Sequence, residues 1–251
     1  MTGGDTIWTV PILIGAVAVS LRLSLMIFLL PGVGERAVPV RIRLAVLLAL
    51  LLAVLPVILP ESPVPTASDL VVLLVTEALI GFALGFSCRV MIFALTVAGT
   101  VIAQSVSLSQ ILGAGLADEG NPSVSMLLMV GGAALFVSLD LHTAMVGLFA
   151  ESYEVFPLMV SPPTDALAEW ATFRTAHAFS LAISLALPFV LMGFLYTLVL
   201  GLVSQAMPQM MVTFVGVPAN VLAGLVLLAL SISLLFTRWV DAFAAAPLRF
   251  W

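Results

Sequence analysis

The feature that most constrains this chain is the run from Leu70 to Ala103, which carries only two charged side chains, Glu77 and Arg89. It is longer than the roughly 20 apolar residues that a helix needs to cross the hydrocarbon core of a bilayer. Five further apolar stretches accompany it: Ile7–Leu30, Leu44–Leu59, Val124–Ala150, Ala178–Met207 and Val212–Trp239. With 63% of residues hydrophobic and 8% charged, too little polar surface remains to cover a soluble core. The chain therefore reads as an integral membrane protein. Lipid offers no partner to backbone N–H and C=O groups, so spanning segments must be helices or a closed barrel. Alternating segments of about ten residues, which a barrel would need, are absent. The expected fold is an all-α membrane protein of about six long apolar helices, some broken or hairpin-like, in a single domain over residues 1–251.

The stretches are uneven. Leu44–Leu59 is short and is closed by Pro56 and Pro60. Leu70–Ala103 reads as one long helix, or one broken near Gly99, in preference to two complete spans; a helical hairpin inside a protein assembly is also allowed. Connecting segments fall at Pro31–Arg43, Pro60–Asp69, Gln104–Ser123 and the acidic, proline-bearing Glu151–Thr175. Asn121-Pro122 supplies an N-cap and first-turn pair for the fourth helix. Arg36, Arg41 and Arg43 cluster in the first connection, which the positive-inside rule places in the cytoplasm, with the acidic connection on the opposite side.

Charge and cysteine content narrow the function. Eight basic residues, all arginine, against 13 acidic ones give a net charge of −5, so no basic face exists for nucleic acid. A single cysteine, Cys88, excludes an intrachain disulfide framework. Met1-Thr2-Gly3-Gly4-Asp5 lacks the positive region of a cleaved signal peptide.

Charges in apolar stretches need partners. Here they are Arg22, Glu77, Arg89 and Asp140, with His142 nearby. One reading is an ion or proton path; the ordinary one is a set of polar contacts between helices or subunits. The second is favoured, because no carboxylate ladder or pair of broken helices supports a pump. Glu77 and Arg89 stand too far apart to pair along one helix. Asp140, His142 and His177 make a weak metal candidate, since Asp and His two residues apart face different ways on a helix. No serine or aspartate sits in a recognisable nucleophile setting, and no Walker A, Rossmann or haem-attachment motif occurs. Neither a catalytic group nor a cofactor or metal site is expected.

Two other segments stand out. Gly81 and Gly85 form a GxxxG pair, which lets helix backbones approach closely. Gln104–Ser123 contains Ser107, Leu108, Ser109, Gln110, Ile111, Leu112, Gly113, Ala114, Gly115 and Leu116, an interior too apolar for a solvent loop. It would be stabilised inside a cavity or between subunits; a simple amphipathic connector is the alternative. The eleven methionines read as pliable packing, or as a seal in a pore.

Taken in order, several segments resemble the flagellar biosynthetic protein FliR family, which includes the matching subunit of virulence type III secretion systems. Arg22-Leu23-Ser24 through Pro31, followed by Pro39-Val40-Arg41-Ile42-Arg43, is similar to the family's late arginine in helix one and its Pro-x-Arg-x-Arg entry to helix two. Glu77, Gly81 and Gly85 match Glu-x3-Gly-x3-Gly, and Ala98-Gly99 leads to the loop holding Leu108-Ser109. His142 and Ser152-Tyr153 to Pro157 resemble the family's histidine and Ser-Phe to Pro run. Pro208-Gln209 through Val215-Gly216-Val217-Pro218 resembles its most specific signature, Pro-Gln, apolar residues, then Val-Gly-x-Pro. Three positions depart from the pattern: Ser107 stands where glycine is usual, Asn121 where aspartate is, and Gln205 where arginine is common.

The resemblance implies a non-enzymatic subunit of the flagellar type III protein export gate in the bacterial inner membrane, at the flagellar basal body. It implies a helical export-gate assembly with FliP and FliQ homologues, FlhB and FlhA homologues as neighbours, membrane lipid around it, and unfolded flagellar proteins as substrates. The family fold joins a FliP-like part to a FliQ-like part. Gln104 to Leu116 would belong to a plug loop below the pore, and Arg22, Glu77, Gly81, Gly85, Arg89, Pro208 and Gln209 to helix packing and intersubunit contacts. A secondary transporter, the main alternative, should show two similar halves, and no clear internal repeat is present.

Overall fold

The computed structural model describes residues 5–35, 38–58, 70–106, 123–206 and 212–245. Among them the chain is entirely helical: α1 (Asp5–Leu29), α2 (Val40–Ile58), α3 (Leu70–Val106), α4 (Ser123–Ser138), α5 (Leu141–Val155), α6 (Thr164–Ala206) and α7 (Val212–Ala245). Five helices are long and apolar enough to cross a membrane, or six if α4 and α5 together count as one span. The chain is a membrane protein of the expected all-α class.

Several boundaries differ from the sequence reading, each for a local reason. α2 begins at Val40, directly after Pro39, so Arg41 and Arg43 belong to its first turn and not to a loop. Pro56 does not close α2, because it lies in the last turn and the helix reaches Ile58. α3 runs unbroken for 37 residues; Gly99 is a packing position, not a hinge. The stretch Val124–Ala150 splits into α4 and α5, which meet at 67°. Asp140 makes the corner in a left-handed conformation (φ 54°), which aspartate tolerates better than most residues. The Asp140 carbonyl then accepts the Thr143 amide at 3.0 Å and the Thr143 hydroxyl at 2.6 Å, which starts α5.

Glu151–Thr175 is mostly helix rather than a loop. Glu151 lies in α5, and α6 starts at Thr164, where the Pro163 carbonyl accepts the Leu167 amide at 3.1 Å. Pro162-Pro163 pre-sets the entry, Asp165 complements the positive helix terminus, and Ala166, Leu167, Ala168 and Glu169 are strong helix formers. Pro188 is accommodated inside α6.

The chain divides into two compact units. The first draws on Met1–Val90 and Ala133–Arg174. Its core includes Ala18, Leu23, Met26, Leu73, Ile80, Leu84, Met145 and Phe149, together with the buried polar residues Arg22, Glu77, Ser152 and Arg174. α2 packs on α1 and buries only Val54 and Ile58, leaving Leu52 and Val57 exposed. The second unit draws on Met91–Gly132 and Thr175–Ala246. There Met91, Leu95, Ala98, Leu128, Phe189 and Trp239 are buried, and the Trp239 indole donates to the Met91 carbonyl at 2.9 Å. Phe194, Leu195, Leu222 and Leu230 of the same unit are exposed. Exposed apolar faces of this kind suit lipid or neighbouring protein.

Candidate functional site

In the first unit α1 and α3 meet at the GxxxG pair. A Cβ added at Gly81 would collide with the backbone of Arg22, and one at Gly85 would lie 2.7 Å from the Leu29 Cβ and 2.9 Å from the Met26 carbonyl. Glu77, Gly81 and Gly85 recur at four-residue intervals, so all three share one helix face. The glycines draw the α1 backbone onto that face and bring Arg22 beside Glu77.

The result is a fully buried, two-pronged ion pair. Arg22 donates through Nε to Glu77 Oε2 and through Nη2 to Oε1, both at 2.7 Å, with neither side chain exposed. α5 completes the cage. The Tyr153 hydroxyl donates to Glu77 Oε2 at 2.8 Å, Arg22 Nη1 donates to Ser152 Oγ at 3.0 Å, and Arg22 Nη2 donates to the Phe156 carbonyl at 3.1 Å. The guanidinium also lies over the Tyr153 ring, 3.7 Å from its centroid. Both charges are thus matched inside the chain, and the cluster ties α1, α3 and α5 into one arrangement. Such a cluster is suited to fixing geometry.

Arg89 is a different case. It pairs with Glu35 at 2.6 Å, and its side chain is 38% exposed. Asp140 is an exposed corner residue, and His142 and His177 fall in different compact units.

In the second unit the described ends of α3 and α4, which flank residues 107–122, are tightly held. At α4, the Ser125 hydroxyl donates to the Thr96 carbonyl at 2.9 Å, and a Cβ at Gly99 would strike the Ser125 backbone. At the last turn of α3, a Cβ at Gly193 of α6 would lie 2.6 Å from the Ser105 carbonyl, and one at Gly224 of α7 would meet the Val106 side chain. Asn220 of α7 donates its amide to the Val106 carbonyl at 3.1 Å, with the Ser105 carbonyl at 3.5 Å.

Residues 13–246 match the model of a family described as bacterial export proteins, family 1. The chain belongs to the FliR family of bacterial export proteins. The flagellar biosynthetic protein FliR of Caulobacter vibrioides is 35% identical over 231 residues, covering 91% of this chain and 92% of that one. FliR of Escherichia coli is 27% identical over 83% of this chain and 80% of its own, and FliR of Aquifex aeolicus 29% over 85% and 83%. Membership covers both compact units, and it makes this a flagellar-biosynthesis export protein carried in a membrane.

Of the FliR-pattern residues singled out above, the structure brings Arg22, Glu77, Gly81 and Gly85 together and leaves Arg89 on a separate, partly exposed pair. Gln104 is an exposed residue of α3. Ser107, Leu108, Ser109, Gln110, Ile111, Leu112, Gly113, Gly115, Leu116, Pro208 and Gln209 lie outside the described residues, as does the Asn121-Pro122 pair. Asn220 and Arg174 do not stand out in the sequence. Each is a buried polar residue in an apolar helix, and Arg174 Nη2 donates to the Ser87 carbonyl at 2.5 Å. Asn220 carries no charge to mark it, and the segment around Arg174 reads as a loop.

Proposed function

We propose that this chain is a non-enzymatic, channel-forming subunit of the flagellar export gate in the bacterial inner membrane. It assembles there with FliP and FliQ homologues beside FlhB and FlhA homologues, and passes unfolded flagellar proteins. The pore plug is the segment read as Gln104–Ser123, of which 104–106 belong to α3 and Ser123 to α4. The observation that supports this best is the tight packing on both sides of residues 107–122: the last described turn of α3 meets Gly193, Asn220 and Gly224, and the first described turn of α4 meets Gly99. A segment of this semi-apolar composition is able to seal a pore by packing and excluding water, and to open by local rearrangement while the helices stay in place.

The test is deletion of Ile111–Leu116 in cells that assemble the complex. The expected result is normal pull-down of partner subunits with loss of membrane potential through ion leakage. An assembled complex with unchanged permeability would refute the plug assignment.

A further inference from the structure

We propose that the cleft between α1 and α2 seats an anionic phospholipid, with its phosphate on Arg43 and one acyl chain along the apolar walls. α2 buries only Val54 and Ile58, both in its second half. Beside its first half lies a cleft whose walls include Ile27 and Phe28 of α1 and Val40, Leu44 and Leu47 of α2. Walls of this kind favour hydrocarbon over water. Arg43 lines the same cleft. A guanidinium carries more N–H donors than one carbonyl can take. Here Nη2 donates to the Glu35 carbonyl, while Nε is buried and has no hydrogen-bond partner among the described residues.

Charge selects the occupant. Arg22 and Arg89 each face a carboxylate, and the Glu35 carboxylate is the one that Arg89 takes. Arg43 has no carboxylate partner among the described residues; its guanidinium lies 5.6 Å from the Phe28 ring centroid, at the apolar wall. α2 has 19 residues. At 1.5 Å per residue that is about 28 Å of helix, close to the roughly 30 Å of a bilayer's hydrocarbon core. Arg43, in the first turn, is thereby set near headgroup depth, with Leu44 and Leu47 leading on to acyl depth. A phospholipid has the same order, phosphate first and hydrocarbon after, and basic pockets between membrane helices hold anionic headgroups in this way. A protein partner would have to bring a carboxylate to the mouth and a slender apolar tail to the cleft together. Arg41 is exposed and stands two residues earlier, so it faces another way on the helix. It adds charge at the same depth without lining the cleft.

The experiment extracts the full chain in mild detergent with whatever subunits accompany it, adds phosphatidylglycerol or phosphatidylcholine, and counts retained lipid by native mass spectrometry. The natural protein should retain phosphatidylglycerol about fivefold over phosphatidylcholine, the preference that one arginine near an anionic headgroup confers. Arg43→Gln should abolish that preference. Leu47→Trp, which fills the cleft and leaves the charge in place, should lower phosphatidylglycerol retention as well. Arg41→Gln should retain it like the natural protein. Equal losses in Arg41→Gln and Arg43→Gln, with Leu47→Trp unaffected, would overturn the site and leave only diffuse attraction to an anionic surface. Equal retention of both lipids by the natural protein would overturn the headgroup assignment. Retention only after the accompanying subunits are stripped away would overturn it too, because a neighbouring protein then covers the cleft. If Arg43→Gln does not accumulate, Leu47→Trp decides alone, and unchanged phosphatidylglycerol retention in that variant would overturn the proposal.

Discussion

Replacing Glu77 by glutamine is the most informative perturbation of the first compact unit. The carboxylate accepts three hydrogen bonds in a site with no solvent exposure: two from Arg22 and one from Tyr153. Glutamine keeps the shape but turns one acceptor oxygen into a donor, which in either orientation faces an N–H of Arg22. It also leaves the guanidinium without its counter-charge. Breaking a buried pair from one side costs about 3–5 kcal/mol, whereas replacing both partners by apolar residues is often close to neutral. Here the double replacement Arg22→Met with Glu77→Leu would strand the Tyr153 hydroxyl, while Ser152 keeps its bond to the Phe149 carbonyl, so some of the loss should persist, about 1–3 kcal/mol. The assay is a double-mutant cycle on thermal stability of the detergent-solubilised complex, with cellular abundance read in parallel. Each single substitution should cut abundance severalfold, and the double variant should be more stable than Glu77→Gln. A Glu77→Gln protein as stable as the natural one, or strictly additive losses, would show that the cluster does not hold α1, α3 and α5 together.

Gly81→Leu should abolish a properly folded first unit, because any Cβ there meets the Arg22 backbone and has no flexible atom to displace; normal abundance and motility would refute the close contact. Arg89→Ala should change stability by less than about 1 kcal/mol, since its ion pair with Glu35 is partly exposed and screened; a loss matching that of Glu77→Gln would show that the pair carries structural weight.

The apolar stretches announce the membrane helices because spanning segments obey a length and composition rule that local sequence satisfies by itself. Glu77, Gly81 and Gly85 are legible as one face for the same reason, their spacing being a property of a single helix. What sequence does not supply is the partner of each group. Arg22 meets residues 55, 130 and 134 positions away, a matter of tertiary packing. The corner at Asp140 is hidden because neither proline nor glycine marks it; an aspartate in the left-handed region is an unusual way to turn. The start of α6 is hidden because Pro162-Pro163 and the acidic residues after them read as a loop, although the same features suit a helix entry. Asn220 is hidden because an uncharged amide in an apolar stretch is less conspicuous than a charge, although once buried it needs a partner for the same reason.

The central claim, that this chain works as a gate subunit and not as an independent transporter or enzyme, is tested most directly by co-purification. The tagged full chain would be expressed with its FliP and FliQ homologues, extracted in mild detergent and separated by size. The account predicts one stable complex containing all three proteins, in which the chain survives heating that removes it when expressed alone. A monodisperse, heat-resistant chain that leaves both partners behind would contradict it.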